Sequence, residues 1–428
     1  MKQPGKTVIG MADCFSGMLG CANTSPKRQR VNGARRFLLF TRLRFGLVLS
    51  FLLSITSPLL ADQPDQQILV HYMPWYTADA EQNQFGWHWT MNHFDPTKVN
   101  DGGKREIASH HYPQIGPYDS GDPHVLEYHV LLMKLSGIDG VVVDWYGSRD
   151  FRDYAMIDRN TRALIPWLKK AGLKFTFCYE DQTVKHLIAD KKIEATEDVR
   201  ETVAEFNKLA TDYLKDDSWV RLDGKPVLLI FGPQHFEPKS WKKVTEKLKT
   251  PPLIFGLPHL ADKFELDGVF AWPPVHGGKE VEVKQWKSKL ESTYKTKHKL
   301  IASAFPGFHD IYSEAKLHDS YGFIDDRDGK TFRETLSMAK ATRAPLIQIA
   351  TWNDFGEGTI IEPTEEFGFE HLKHLVETDS DAKFDKEDLE LPLMLFKLRQ
   401  SSEESANAIS DALFEGDCAR ARKLLNRK

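Results

Sequence analysis

Cysteine is scarce in this chain, and its scarcity excludes some kinds of fold. Only four cysteines occur among 428 residues, at positions 14, 21, 178 and 418. They form neither a disulfide framework nor a CxxC or zinc-ligand spacing. The sequence therefore predicts a protein held together by its apolar core and not by cross-links.

Motifs for cofactors and metals are missing as well. No GxGxxG follows the first strand-like segment and no GxxxxGK[ST] occurs, which argues against a nucleotide-binding open sheet. HExxH is also absent, as is an HxH on a strand. A metal held by His71, His88, His110 and Asp144 is an alternative, but the sequence favours no metal and no cofactor.

Positive charge is concentrated at the N-terminus. Residues 1–61 hold nine Lys or Arg and one Asp, a net charge of +8, so the remainder of the chain carries −12. An acidic domain is a poor partner for nucleic acid or for an anionic membrane surface. We expect a neutral or polar ligand and no nucleic-acid partner.

Long apolar runs are absent after the first sixty residues. The run at 45–60 follows a stretch rich in Lys and Arg and ends at Ala61, which is typical of a secretory signal peptide cleaved near Ala61. At about 16 residues it is short for a membrane span, although an uncleaved anchor is an alternative. The sequence predicts a secreted or periplasmic protein with no stable membrane insertion after cleavage.

Strand-like and helix-like segments alternate through the rest of the chain, which is typical of repeated βα units. Near-continuous apolar runs predict eight strands, at 68–72, 140–145, 174–179, 227–231, 253–257, 268–272, 300–304 and 346–351. Apolar spacing of three and four predicts helices at 124–136, 160–171, 196–214, 239–248, 280–295 and 330–342. The pattern favours an α/β fold, a (β/α)8 TIM barrel over residues 62–384, with a short C-terminal extension of two helices over 385–428.

The C-terminal ends of the predicted strands are rich in aromatic and acidic residues. A TIM barrel carries its active site at these ends, where flat aromatic faces stack on sugar rings and polar groups bond hydroxyls. The predicted substrate-binding residues are His71, Tyr72, Trp75, Tyr76, Trp87, His88, Trp89, His110, Tyr112, Trp145, Tyr146, Asp181, Trp272, Trp352, Asn353 and Asp354. A carbohydrate is therefore the expected ligand.

Hydrolysis of a glycosidic bond requires two carboxyl groups, one to protonate the leaving oxygen and one to assist attack. Glu180 and Glu357 form the favoured pair, because each follows an apolar strand beside aromatic residues, where burial raises a carboxyl pKa. Asp144, at the end of the second predicted strand, is the third catalytic candidate.

Several segments resemble the glycoside hydrolase family 99 and 71 superfamily of endo-α-mannosidases and α-1,3-glucanases. The most specific are HYMPWY at 71–76 and WNDFGEGT at 352–359, with further matches at 107–113, 140–147, 175–180 and 223–226. The matches keep the same order across residues 66–375. The resemblance implies a barrel that acts on glycans outside the cytoplasm.

The chain departs from this family in one respect. The resemblance implies two catalytic glutamates three residues apart after the fifth strand, whereas residues 256–263 contain no glutamate. His259 and Asp262 have that spacing, but we interpret this loop as structural. We predict a secreted glycoside hydrolase that cleaves an α-linked glycan with other strand-end carboxylates. A carbohydrate-binding protein on a degenerate barrel and a glycan-biosynthetic transferase are the alternatives.

Overall fold

Eight parallel strands close into a barrel in the computed structural model, which describes residues 66–379, 382–401 and 403–426. The strands, β1 to β8, are Gln67–Tyr72, Gly140–Trp145, Lys174–Tyr179, Lys225–Ile230, Leu253–Gly256, Gly268–Phe270, Lys299–Ala304 and Leu346–Ile349. Each strand pairs with the next, and β8 pairs with β1. The predicted TIM barrel is confirmed, with strand ends within two residues of those expected from the sequence.

Helices surround the barrel. All six predicted crossover helices are present, at Pro123–Leu135, Tyr154–Ala171, Asp198–Asp212, Pro238–Glu246, Val283–Tyr294 and Lys330–Ala341. Further helices lie at Gln182–Ala189 and Glu370–Thr378, and the fifth crossover holds only the one-turn helix Ala261–Phe264. Local chemistry sets some of the ends: Asp122 Oδ1 accepts from the His124 N–H at 2.7 Å, and Gly172 adopts the left-handed conformation after Ala171.

The second crossover helix begins six residues earlier than the sequence predicted. The predicted start was residue 160, whereas the helix begins at Tyr154. Tyr154 and Ile157 are both buried, so the first turns pack their apolar side chains against the barrel as the later turns do. Packing against the barrel therefore extends the helix into residues whose apolar spacing in the sequence is less regular.

The described part of the C-terminal extension contains three α-helices, Leu391–Arg399, Glu403–Glu415 and Cys418–Leu425, after the 3₁₀ helix Lys386–Glu390, so the prediction of two helices was wrong. Gly416, with φ of +80°, separates the last two, and Asp417 caps the final helix by accepting from the Arg420 N–H at 2.9 Å. The predicted leader, residues 1–61, lies outside the described residues. Within the described ranges, no helix combines the length and apolarity needed to cross a bilayer.

One buried ion pair joins the extension to the barrel domain. Arg399 donates to both carboxylate oxygens of Glu127 at 2.8 Å, and Ser410 donates to the same carboxylate at 2.6 Å. The side chains of Arg399 and Glu127 are only 7% and 2% exposed. Removing one partner therefore leaves the other charge buried without its counter-ion.

Glu127→Ala is expected to destabilise the protein by roughly 3–5 kcal/mol, because it leaves the Arg399 guanidinium uncompensated. Urea unfolding provides the measurement. The matched control is Asp411→Asn, which removes another pair between the extension and the barrel domain, an exposed contact with Lys170 at 3.2 Å. This variant is expected to cost less than about 1 kcal/mol. Equal losses in the two variants would contradict the assignment.

Candidate active site

Side chains of the first three strands meet inside the barrel. Trp145 donates from Nε1 to Asp158 on a surrounding helix at 3.1 Å, so the alternation of a strand directs the adjacent Asp144 to the interior. Asp144 is in register with Cys178 of β3. His71 Nε2 lies 3.8 Å from Asp144 Oδ1, and the ring of Trp272 meets the His71 imidazole edge to face at 5.1 Å.

Asp144 belongs to a group of four carboxyls at this end of the barrel. Asp144 is the penultimate residue of β2, Glu180 directly follows β3, and Asp354 and Glu357 lie on the turn after β8. All four are buried, with exposures of 4% or less. Burial raises the pKa of Glu180 well above its usual range, and the charges of Asp144, Asp181, Glu357 and Asp354 raise it further. Burial and the mutual repulsion of these carboxyls therefore favour their protonated forms.

Asp354 and Glu357 differ in what surrounds them. Burial raises the pKa of Asp354 to about 7, although the Glu357 N–H, which donates to Asp354 Oδ1 at 2.9 Å, favours the ionised form. Burial also raises the pKa of Glu357 well above its usual range, and the charge of Asp354 adds to this. The Trp272 Nε1–H donates to Glu357 Oε2 at 3.1 Å and opposes the rise. Asp354 is thus the group poised to exchange a proton near neutral pH.

A short hairpin holds both residues in place. Asn353–Asp354 pairs antiparallel with Thr359–Ile360, and Gly358 in the turn has a φ of +66°. A Cβ on Gly358 would lie 2.6 Å from the His309 carbonyl oxygen, so glycine is required at this position. Asn353 receives the Met73 N–H at 2.8 Å and donates to the Met73 carbonyl at 3.0 Å, which fixes the hairpin against the loop after β1.

Several buried polar atoms around the cluster have no hydrogen-bond partner in the protein. They are Glu180 Oε1, Asp354 Oδ2, Glu357 Oε1, both ring nitrogens of His71 and the indole nitrogen of Trp75. An unsatisfied buried polar group costs about 1–3 kcal/mol, so native proteins contain few of them. Their concentration at one end of a barrel is typical of a site that binds a polar ligand.

The loop after β1 supplies an aromatic wall. The rings of Trp75 and His88 stack in parallel at 4.5 Å, and Tyr76 lies 4.2 Å from Trp89. Tyr146 lies beside Trp75, with 6.3 Å between ring centroids. The Tyr76 hydroxyl donates to the Asn353 carbonyl at 3.0 Å, so this wall is attached to the hairpin that carries the carboxyl groups.

Three aromatic residues predicted to bind substrate face the surrounding helices instead of the cluster. Trp145 bonds Asp158 as described above, and the Tyr72 hydroxyl lies 3.1 Å from Nδ1 of His129 on helix Pro123–Leu135. The Trp352 ring meets the His129 ring edge to face at 5.6 Å. Strand alternation explains why Tyr72 and Trp145 point outward, because each directly follows an inward-facing residue, His71 or Asp144. Their predicted role in binding substrate finds no geometric support.

Other predicted residues hold loops or lie at the periphery. Asp181 accepts backbone N–H groups of residues 234, 235 and 236, which orders the loop after β4. His110 stacks on His309 at 3.7 Å, and Trp87 meets His88 edge to face at 5.0 Å. Tyr112 is half-buried, with its hydroxyl accepting from the Arg105 N–H at 3.2 Å. Of the four metal ligands considered from sequence, only His71 and Asp144 belong to the group whose ligand atoms converge among the described residues, and the third member of that group is Cys178.

The loop after β7 contributes residues that sequence reasoning missed. The charge of Asp310 raises the pKa of Asp354 and Glu357, and both of those carboxyls raise the pKa of Tyr312. Asp310 lies six residues beyond the end of β7, after the apolar segment 305–308. Inspecting only the residues next to each strand end therefore overlooked it.

The loop after β5 supplies no catalytic pair. Asp262 is 73% exposed and bonded to Lys297 at 2.8 Å and His298 at 2.9 Å, which confirms that it belongs to a surface ion pair. The three-residue spacing that the family resemblance attributes to its catalytic acids occurs elsewhere. Asp354 and Glu357 have it, and both belong to the buried cluster.

The chain is similar to several known proteins. Residues 63–250 match the family model described as glycosyl hydrolase family 99. The glycoprotein endo-alpha-1,2-mannosidase of Rattus norvegicus is 24% identical over 331 residues, 71% of this chain and 69% of that protein. The glycoprotein endo-alpha-1,2-mannosidase-like protein of Danio rerio is 22% identical over 329 residues, 70% and 72% of the two chains. The solved structure of the GH99 endo-alpha-mannosidase from Bacteroides thetaiotaomicron has a TM-score of 0.53 at 19% identity and covers 79% of this chain and 99% of that chain.

Proposed function

We propose that this chain, a divergent glycoside hydrolase of family 99, cleaves an α-linked glycan with the carboxyl cluster at the C-terminal end of its barrel. The buried cluster of Asp144, Glu180, Asp354 and Glu357 carries the proposal. It joins proton-holding carboxyls to unsatisfied polar atoms and an aromatic wall, which are the parts that glycosidic hydrolysis needs.

Glu357 is suited to act as the general acid. Burial raises its pKa well above the usual range, which favours the protonated carboxyl, and the Trp272 N–H holds its Oε2 in a defined orientation. Its Oε1 is buried and has no partner in the protein, so it is available to a ligand. In the proposed reaction Glu357 gives its proton to the glycosidic oxygen as the bond from that oxygen to the anomeric carbon breaks.

Asp354 is suited to be the second carboxyl. With a pKa of about 7 and a backbone N–H bonded to Oδ1, it is the more readily ionised of the two hairpin acids. It accepts a proton from the attacking water as the water oxygen forms the new bond to the anomeric carbon. Glu180, the partner favoured from sequence, is the alternative, because its Oε1 is also buried and unpartnered.

The similar proteins described above support an α-mannosidic linkage. They are endo-alpha-mannosidases from Rattus norvegicus and Bacteroides thetaiotaomicron and an endo-alpha-1,2-mannosidase-like protein from Danio rerio. The neutral substrate expected from the acidic charge of residues 62–428 is consistent with a mannose-containing glycan. Export is also part of the proposal and depends on the signal-peptide pattern at residues 45–61. N-terminal sequencing of the exported protein tests it, with a start near Asp62 expected.

Incubation with defined glycans tests the activity. We expect the purified protein to release new reducing ends from at least one member of a panel of α-mannans, α-glucans and N-glycans. The Glu357→Gln variant is expected to bind the same glycan without cleaving it. Glycan binding by the unmodified protein with no reducing-end release would favour a carbohydrate-binding protein on a degenerate barrel. Transfer to an alcohol in place of water would favour a transferase.

A further inference from the structure

A cavity lies beside the hairpin that carries the carboxyl groups. Its volume is about 430 Å³, within the range of roughly 300–1,000 Å³ that is usual for small-molecule sites. Its walls come mainly from the segments after β7 and β8, with Phe308, Ile324 and Ile360 as buried apolar residues, and His111 of the loop after β1 completes them. Gly358 and Ile360 belong to the Glu357 hairpin, so this cavity and the carboxyl cluster share a wall. We call it the β7–β8 pocket.

A row of three rings forms one side of the β7–β8 pocket. Phe367 lies 5.0 Å from His111 and 4.8 Å from His371, measured between ring centroids. His371 is only 3% exposed, and its Nε2 has no hydrogen-bond partner in the protein. The buried Nδ1 of His111 likewise has no hydrogen-bond partner in the protein. These unsatisfied nitrogens point to a polar ligand beside an aromatic surface.

Both imidazoles are neutral at physiological pH. Burial lowers the pKa of His371 to about 4, and burial likewise lowers that of His111 to about 4. A neutral imidazole offers one N–H donor and one acceptor nitrogen. Such a pair matches hydroxyl groups, which both donate and accept, better than it matches a fully charged ligand.

The charged residues that line the β7–β8 pocket disfavour an anionic ligand. Loops after β7 and β8 bind phosphate in many TIM barrels. Here the lining includes Asp326, Asp328, Glu366 and Glu370 against a single guanidinium, that of Arg333. A net negative lining repels phosphate. Among the described residues, the only group whose ligand atoms converge well enough to hold a metal ion is that of His71, Asp144 and Cys178, which lies inside the barrel.

We propose that the β7–β8 pocket is a second saccharide-binding site, which holds one unit of a neutral glycan outside the carboxyl cluster. A sugar ring presents an apolar face to Phe367 and hydroxyl groups to His371, His111 and the lining carboxylates. The shared hairpin places the pocket next to the proposed reaction centre. The proposal rests on the proposed function only for the identity of the glycan, and it predicts that long substrates bind better than short ones.

Methyl NMR of Glu357→Gln protein tests the pocket without turnover. Ile324 and Ile360 line the pocket and serve as labelled probes. We expect α-linked manno-oligosaccharides of four or more units to shift both signals. His371→Ala is expected to abolish the shifts, and Phe367→Ala provides a second variant at a half-buried position that tolerates truncation more readily. His374→Ala is the matched control, because it lies on the same helix but does not line the pocket, and it is expected to preserve them.

Kinetics separate this proposal from the proposed function. In protein with Glu357 intact, Phe367→Ala is expected to raise KM for the oligosaccharide about fivefold to tenfold, consistent with one lost stacking contact. Its kcat on a short aryl α-mannoside is expected to be unchanged.

The combined outcomes decide between the two proposals. Cleavage with no shift of the Ile324 and Ile360 signals would overturn the pocket and leave the proposed function standing. Shifts that the pocket variants abolish, without any cleavage, would support the pocket and overturn the proposed function. Tighter binding of inorganic phosphate, lost in Arg333→Ala, would identify an anion site and overturn the proposal.

Discussion

Glu357→Gln should lower kcat for glycan cleavage roughly 10²- to 10⁴-fold, the usual contribution of a general acid. Glutamine keeps the shape of the side chain and can still accept the Trp272 N–H at the Oε2 position. It cannot supply a proton to the glycosidic oxygen. The fold should be retained, because the substitution removes a buried ionisable group and not a packing contact.

The leaving group reveals which role Glu357 performs. An aryl glycoside with an acidic phenol needs little protonation, so the variant should keep most of its activity in the bond-breaking step on that substrate. Steady-state and burst kinetics on the natural glycan and on the aryl glycoside provide the comparison. The control is Glu365→Gln, an exposed residue of the same loop that pairs with Lys104 at 2.8 Å and should not affect turnover. An equal loss on both substrates would remove Glu357 from the role of acid.

Asp354→Asn should have the second largest effect, with loss of activity and gain of stability together. Asparagine still accepts the Glu357 N–H through Oδ1 but cannot take a proton from the attacking group. In unmodified protein, activity should rise with pH through about 7 as Asp354 becomes ionised. The residual activity of the variant should lack this rise. Glu180→Gln distinguishes the alternative pair, because loss of the rise in that variant alone would assign the second role to Glu180.

The stability change has a definite sign. The pKa of Asp354 is about 7 in the folded protein, against 3.8 ordinarily, so the folded state binds the proton more tightly than the unfolded state. The contribution of Asp354 to the free energy of unfolding therefore becomes increasingly unfavourable as pH rises from about 4 to above 7. Asp354→Asn removes this contribution, so its gain in unfolding free energy should grow across that window to a few kcal/mol, at ~1.4 kcal/mol for each pKa unit. Thermal melts between pH 4 and 8.5 test this, and a gain that does not vary with pH would contradict the assigned cause.

The barrel was predictable because its signal is local. Each strand is buried on both sides, so it reads as a continuous apolar run, and each helix shows a three- and four-residue repeat. Where the signal was weak, the boundaries were wrong. The helix starting at Tyr154 was predicted too short, and the extension was assigned two helices where Gly416 creates a third.

The candidate site was only partly predictable. Glu180, Asp144, Asp354 and Glu357 were found because carboxyls next to apolar strands are unusual, whereas Asp310 was missed because its loop folds back from beyond the strand end. Tyr72 and Trp145 were included for their residue type alone. Sequence did not decide their direction, because a single step along a strand turns a side chain from the barrel interior to the helices.

The amino-acid sequence by itself determined the number and order of the strands, the strand ends that carry carboxylates and the family resemblance, because each depends on residues that are near neighbours in the chain. Only the tertiary structure decided which carboxyls share one buried space and which aromatic residues face it. Burial and mutual repulsion then set the proton affinities of Asp354 and Glu357. These effects arise between groups as far apart in sequence as Asp144 and Glu357, so closing the barrel is what creates them.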